Sequence, residues 1–147
     1  MTNMGRKADV IKLALYFAED RHKSQVDDDG ESYYLAHLLP VADLLGLVTD
    51  DKEIIAAGIL HDILENTSTT YTELANAFGN RIANLVNEVT HETRKNGQGY
   101  YSPRLESQEA TMIKFADRLS NISRMSSWPK QRQTAYLRKS RFWDNKE

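Results

Sequence analysis

Cysteine is absent from this 147-residue chain, so no disulfide braces it and no thiolate can hold a metal. Any bound metal must rely on His, Asp, Glu or Asn. Long apolar runs are missing as well. Nothing approaches the ~18 residues of a membrane span, and the opening MTNMGRKADV lacks the apolar core of a signal peptide. A cytoplasmic location with no membrane partner is therefore expected. Basic charge is not in excess: 19 Lys and Arg stand against 21 Asp and Glu, for a net charge of −2. That balance argues against nucleic acid as a partner, which calls for a basic footprint. Glycine (7) and proline (3) are scarce, so breaks between elements are few. Strand-like alternation of useful length is absent, and so are internal repeats.

Helical spacing is what remains. With 40% hydrophobic and 27% charged residues, the composition is that of an ordinary globular protein, and the length fits one domain over residues 1–147. Apolar residues recur at helical intervals from Ala8 to Glu19 and from Tyr33 to Leu47, with Pro40 near the first turn of the second helix. Asp50 or Asp51 caps a third helix through Ile54, Ile55, Ile59 and Leu60. Further helices are predicted over Thr70–Phe78 (stopped by Gly79), Arg81–Glu92 and Leu105–Met125. Trp128-Pro129 then breaks the pattern before a last helix over roughly Gln131–Phe142. The fold class is all-α, a single bundle of about six to seven helices.

The most hydrophobic run, AAGILHDILEN (residues 56–66), places an imidazole beside a carboxylate. Buried ionisable groups are costly unless they pair or bind a metal. Partners exist: His37 lies between YYLA and LLPVA, and Asp117 lies within MIKFADRLSNISRM. His37, His61, Asp62 and Asp117 thus occupy core-forming segments of three helices. Two imidazoles and two carboxylates suit a divalent transition ion such as Mn²⁺, Fe²⁺, Co²⁺ or Zn²⁺. Such an ion activates water for hydrolysis. Glu65 follows His61 by four residues, which predicts one shared face of the third helix; Asn66 follows Asp62 by the same interval. Asp117, Asn121 and Arg124 form a stripe on the long helix, suited to phosphate oxygens or a ribose. Met112, Phe115, Leu119 and Ile122 read as the core face of that helix. His22 and His91 read as structural or loop residues.

Four segments now carry a family resemblance. AHLLPVADLL, DKEIIAAGILHDILENT, TYTELANAFGNRIANLVNEVT and IKFADRLSNISRM, in this order and spacing, resemble the HD-domain metal-dependent phosphohydrolases. Within them the chain most resembles the hydrolase domain of RelA/SpoT-type proteins and its small stand-alone relatives. The likeness implies an HD-type helical bundle and hydrolysis of (p)ppGpp at its 3′-pyrophosphate, with Mn²⁺ as the cofactor. It implies His37, His61, Asp62 and Asp117 as metal ligands. It implies Glu65 as the residue that orients water or moves protons, and Asn121 as a contact to the sugar-phosphate region. Arg118 and Arg124 occupy family-like basic positions on the substrate side.

Two departures stand out. The family follows HD-x-x with Glu-Asp, whereas this chain has Glu65-Asn66, and an amide does not accept a proton as a carboxylate does. The first loop, HKSQVDDDGES, supplies Asp27, Asp28 and Asp29 where the family supplies Arg and Lys. Those aspartates read as a solvated acidic loop that opposes a tetraphosphorylated nucleotide, with Lys23 offsetting them in part. The expected partner is a nucleotide-like small molecule. Alternatives are a phosphomonoesterase on another nucleotide, or a non-catalytic metal- and nucleotide-binding sensor that has lost chemistry through Asn66. THETRKNGQGYYSPR, with Arg94, Lys95, Tyr100, Tyr101 and Arg104, reads either as a lid or as a plain connector. Trp128, Tyr136, Phe142 and Trp143 either form a homodimer surface or pack back on the bundle.

Overall fold

The computed structural model describes residues 3–90 and 105–140. In chain order these form α1 (Asn3–Arg21), a π turn (Tyr34–Leu38) running directly into α2 (Leu39–Val48), α3 (Lys52–Ile59), α4 (Ile63–Asn66), α5 (Tyr71–Phe78), α6 (Asn80–Val89), α7 (Gln108–Ile122), a 3-10 turn (Met125–Ser127) and α8 (Lys130–Lys139). The turn at residues 60–62 alone divides α3 from α4, so the eight α segments amount to seven helices. Among the described residues the β content is one isolated bridge, Val26 to Ser32, which closes the acidic loop. No helix of the described residues is long and apolar enough to cross a membrane. Residues 91–104, with the lid candidate and His91, and the aromatic residues Phe142 and Trp143 lie outside the described residues.

α3 is the central rod. Every residue from Ile54 to Leu60 is buried, and α1, α2, α6 and α7 pack around it. Its small residues permit close approach. A side chain added at Gly58 would run into Leu45 Cδ1 and press on Val41 of α2. Asp51 caps α3, its carboxylate accepting from the Glu53 and Ile54 amides at 3.0 and 3.4 Å. Arg81 at the start of α6 reaches Asp51 at 2.8 Å and Glu53 at 2.7 Å, and these bonds hold the Asp51 carboxyl below its usual range. Thr70 and Glu73 close a capping box on α5, and Gly79, at φ 95°, turns the chain from α5 into α6. Glu88 of α6 accepts from the Glu106 amide (2.7 Å), the Ser107 amide (2.9 Å) and the Ser107 hydroxyl (2.9 Å), and so anchors the start of α7.

Three features depart from the sequence reading, each for a physical reason. The helix expected to carry His61 and Glu65 together is broken between them. Leu60 and Asp62 adopt bridge-region backbone (φ −94°, ψ 4° and φ −99°, ψ −1°), which ends α3 and starts α4. Neighbouring residues on a straight helix point about 100° apart, so the break lets His61 and Asp62 aim at one point. Proline at position 40 has no N–H to donate to Ala36. The turn ahead of it widens, Leu39 N–H bonding back to the Tyr34 carbonyl, and α2 then begins with Pro40 in its first turn.

The third departure is the face that α7 presents. Phe115 and Leu119, read as core, are 38% and 52% exposed. Ala110, Ile113, Lys114, Ala116, Asp117, Arg118 and Ser120 are buried instead. The helix is also shorter than predicted, starting at Gln108 and ending at Ile122.

Replacing Gly58 by valine is expected to lower unfolding free energy by about 1–3 kcal/mol, the usual penalty of overpacking a filled interior. Urea titration would show it as a reduced midpoint at constant m-value; an unchanged midpoint would mean that α2 can shift freely away from α3.

Candidate metal centre

His37 comes from the π turn, His61 and Asp62 from the α3–α4 break, and Asp117 from the middle of α7. The structure brings their side chains together. His37 Nε2 lies 3.2 Å from His61 Nε2 and 3.0 Å from Asp117 Oδ1; His61 Nε2 lies 3.2 Å from Asp117 Oδ1 and 3.1 Å from Asp62 Oδ2. Asp62 Oδ2 is also 3.8 Å from His37 Nε2. His37, His61 and Asp117 each offer a donor atom, all within 4.8 Å of one another. Two donors about 2.1 Å from a shared ion and at right angles to each other stand about 3.0 Å apart. The spacing therefore fits a divalent metal.

The ring orientations are set by other groups. His61 Nδ1–H donates to the Gly58 carbonyl at 2.7 Å, which turns Nε2 toward the cluster. Ser120 Oγ stands 3.0 Å and Arg124 Nη2 3.1 Å from His37 Nδ1. The Tyr33 phenol donates to Asp62 Oδ2 and packs against the His37 ring at 5.2 Å.

Charge inside the cluster is strongly perturbed. Burial alone would lower the His61 pKa, but the Asp62 and Asp117 carboxylates outweigh it and hold His61 well above the ordinary value. Burial opposes ionisation of Asp117, yet His61 and His37 hold it well below the carboxylate range; Asp62 is lowered in the same way by the two histidines. Burial also pushes the Tyr33 phenol far up, with Asp62 adding to it.

Several of these side chains escaped the sequence reading. Tyr33 and Ser120 have no signal beyond helical spacing from the ligands. Lys114 is buried, with Nζ 3.9 Å from Asp117 Oδ2; burial lowers its pKa to about 8 against the pull of Asp117, with Asp62 and Glu65 also in its field. A lysine three residues before the candidate ligand, within an apolar run, was the available signal. His22, in the turn after α1, is structural. It is buried, its Nδ1 donates to Gln25 Oε1 at 2.8 Å, and Gln25 Nε2 donates on to the Asn66 carbonyl at 2.9 Å.

A cleft of about 460 Å³ adjoins the cluster through Tyr33, Asn121 and Arg124 and is further lined by Val26, Asp27, Asp28, Asp29, Trp128, Arg132 and Tyr136. Of the residues expected on the substrate side, Asn121 and Arg124 line it. Arg118 does not: it is buried, its Nη1 donating to the Tyr136 hydroxyl at 3.1 Å. Lys23 is elsewhere, exposed and 3.9 Å from Asp20. Glu65 is half-buried in α4, and Asn66 is exposed at its end. Trp128 and Tyr136 are half-buried and pack edge to face at 5.4 Å, folded back on the bundle. The acidic loop is not simply solvated. Asp27 pairs with Arg124 at 2.9 Å, Asp28 with Arg132 at 2.7 Å, and Asp29 accepts from the Ser127 hydroxyl at 2.9 Å.

A helical bundle with paired His and Asp side chains at its centre defines a class, and the chain belongs to it: residues 14–111 match the HD domain family. Among curated proteins it is 35% identical to the guanosine-3′,5′-bis(diphosphate) 3′-pyrophosphohydrolase MESH1 of Xenopus tropicalis, over 91% of this chain and 82% of that protein. The MESH1 of Danio rerio is 34% identical over 87% of this chain and 78% of its own length. The guanosine-3′,5′-bis(diphosphate) 3′-pyrophosphohydrolase of Aquifex aeolicus is 35% identical over 83% of this chain, which spans 18% of that longer protein. A solved structure described as a metazoan ortholog of SpoT that hydrolyzes ppGpp has the same fold, with a TM-score of 0.75 at 23% identity, over 90% of this chain and 82% of that one.

Because His61 is held above its ordinary pKa, its imidazole carries a proton at pH 7, and a metal must displace that proton. Titrating a divalent ion calorimetrically in buffers of different ionisation enthalpy is expected to reveal release of about one proton per ion. Affinity is expected to rise with pH until His61 is neutral. A binding heat indifferent to the buffer would contradict the placement of His61 among the ligands.

Proposed function

We propose that the chain is a metal-dependent phosphohydrolase that removes the 3′-pyrophosphate of (p)ppGpp, with His37, His61, Asp62 and Asp117 as metal ligands and Mn²⁺ as the ion. The observation that carries this reading is the convergence of His37, His61 and Asp117 at 3.0–3.2 Å, with Asp62 3.1 Å from His61, beside a nucleotide-sized cleft. The relatives named above support the substrate. Right-angled donor spacing suits an octahedral ion; tetrahedral ligands would stand about 3.4 Å apart.

When bound, the ion supplies positive charge at the scissile phosphate and activates water. The protein supplies the rest. Glu65 takes the proton of the attacking water. Water adds to the 3′-phosphorus, the P–O3′ bond breaks, and the 3′-oxygen takes up a proton as pyrophosphate leaves. Asn121 anchors the sugar-phosphate region from the cleft floor, positioned by its Nδ2–H bond to the Tyr136 hydroxyl at 2.7 Å. Arg124 stands beside it, donating to Asn121 Oδ1 at 3.1 Å. Lys114 holds Asp117 through Oδ2, the oxygen that the histidines leave free.

Incubation of the Mn²⁺-loaded protein with a panel of nucleotides is expected to release pyrophosphate from (p)ppGpp. Glu65→Gln should lower kcat by about 10²–10⁴, and Asp117→Asn should abolish turnover together with metal binding. Asn66→Asp, which adds a second proton acceptor, should raise kcat about tenfold. A wild-type protein that holds metal and nucleotide but releases nothing until Asn66→Asp is introduced would instead be a sensor.

A further inference from the structure

The cleft adjoins the metal cluster through Tyr33, which bonds Asp62, and Arg124, which lies beside His37. The Asp27–Asp29 loop lines it as well, and its charged lining groups are three carboxylates against two guanidiniums.

Both guanidiniums are already engaged. Arg124 gives Nη1–H to Asp27 Oδ2 at 2.9 Å and Nη2–H to Asn121 Oδ1 at 3.1 Å, with Nη2 also 3.1 Å from His37 Nδ1. Arg132 gives Nη2–H to Asp28 Oδ2 at 2.7 Å, and its planar head lies 3.8 Å over the Trp128 ring. Asp27 is itself pinned, its Oδ1 accepting from the Asp29 and Glu31 amides at 2.9 Å, so it cannot withdraw without opening the loop. A phosphate entering beside the loop meets three carboxylates, against two guanidiniums whose charge is already shared with Asp27 and Asp28. A neutral ribose or base meets no such penalty, since Val26, Trp128 and Tyr136 present apolar and aromatic surface there.

We propose that the acidic loop is a specificity element. Among nucleotides that carry their scissile 3′-diphosphate toward the metal, it favours those with fewer 5′-phosphates, so that a 5′-triphosphate binds more weakly than a 5′-diphosphate. This rests on the phosphohydrolase reading above and narrows its substrate class. Repulsion acts on binding, so it appears in Kd and KM more than in kcat.

The test uses four guanosine 3′-diphosphates bearing none, one, two or three 5′-phosphates. Kd is measured on the Mn²⁺-loaded Glu65→Gln variant, and kcat/KM on the wild type. Affinity is expected to fall about tenfold or more from the 5′-monophosphate to the 5′-triphosphate, with the gap shrinking in high salt. The double substitution Asp28→Asn, Asp29→Asn is expected to flatten or invert the order by leaving Arg132 unpaired. Equal or tighter binding of the triphosphate to protein with the native loop would overturn the proposal. Failure to hydrolyse any member would overturn the phosphohydrolase reading alone, because the binding order still decides this one. Failure to bind any member would overturn both.

Discussion

Four ionisable side chains share one point inside a helical bundle, and the surrounding structure answers to that arrangement. Two imidazoles and two carboxylates cannot be left unpaired away from water. They neutralise one another: the carboxylates hold His61 protonated, and the histidines hold Asp62 and Asp117 ionised. The same mutual attraction makes the cluster ready for a divalent ion, which replaces the shared protons as the counter-charge.

Bringing the four together requires irregular backbone at the places that carry them. α3 breaks at residues 60–62 so that adjacent residues converge, and the chain widens into a π turn around His37. α7 turns a polar face inward, with Lys114, Asp117, Arg118 and Ser120 buried, while Phe115 and Leu119 face out. Each irregularity is held by a partner of ordinary kind: the Gly58 carbonyl for His61, the Tyr33 phenol for Asp62, and Ser120 with Arg124 for His37. The regular caps at Asp51, Thr70 and Ser107 hold the rods that bear these sites.

Above the cluster, the chain's own acidic loop shapes the cleft. Asp27, Asp28 and Asp29 tie the α1–α2 connection to the segment after α7 through Arg124, Arg132 and Ser127. Trp128 and Tyr136 close the remaining side. The walls of the cleft are therefore built from residues about a hundred positions apart.

Helical periodicity, the absence of strand patterns and the capping residues made the all-α bundle legible from the chain alone. The four candidate ligands were legible too, because an ionisable group within an apolar run is too costly to bury without a counter-charge or a metal. The unbroken third helix and the core face of α7 were misread, and the partners of the acidic loop went unseen, for a common reason. Periodicity assumes a straight helix whose apolar side is buried, and it carries no information about which distant side chain supplies a counter-charge. The tertiary structure alone decided that α3 breaks, that a lysine and an arginine go inward on α7, and that the loop aspartates meet Arg124 and Arg132. These are long-range electrostatic and packing choices, made only when separate helices come into contact.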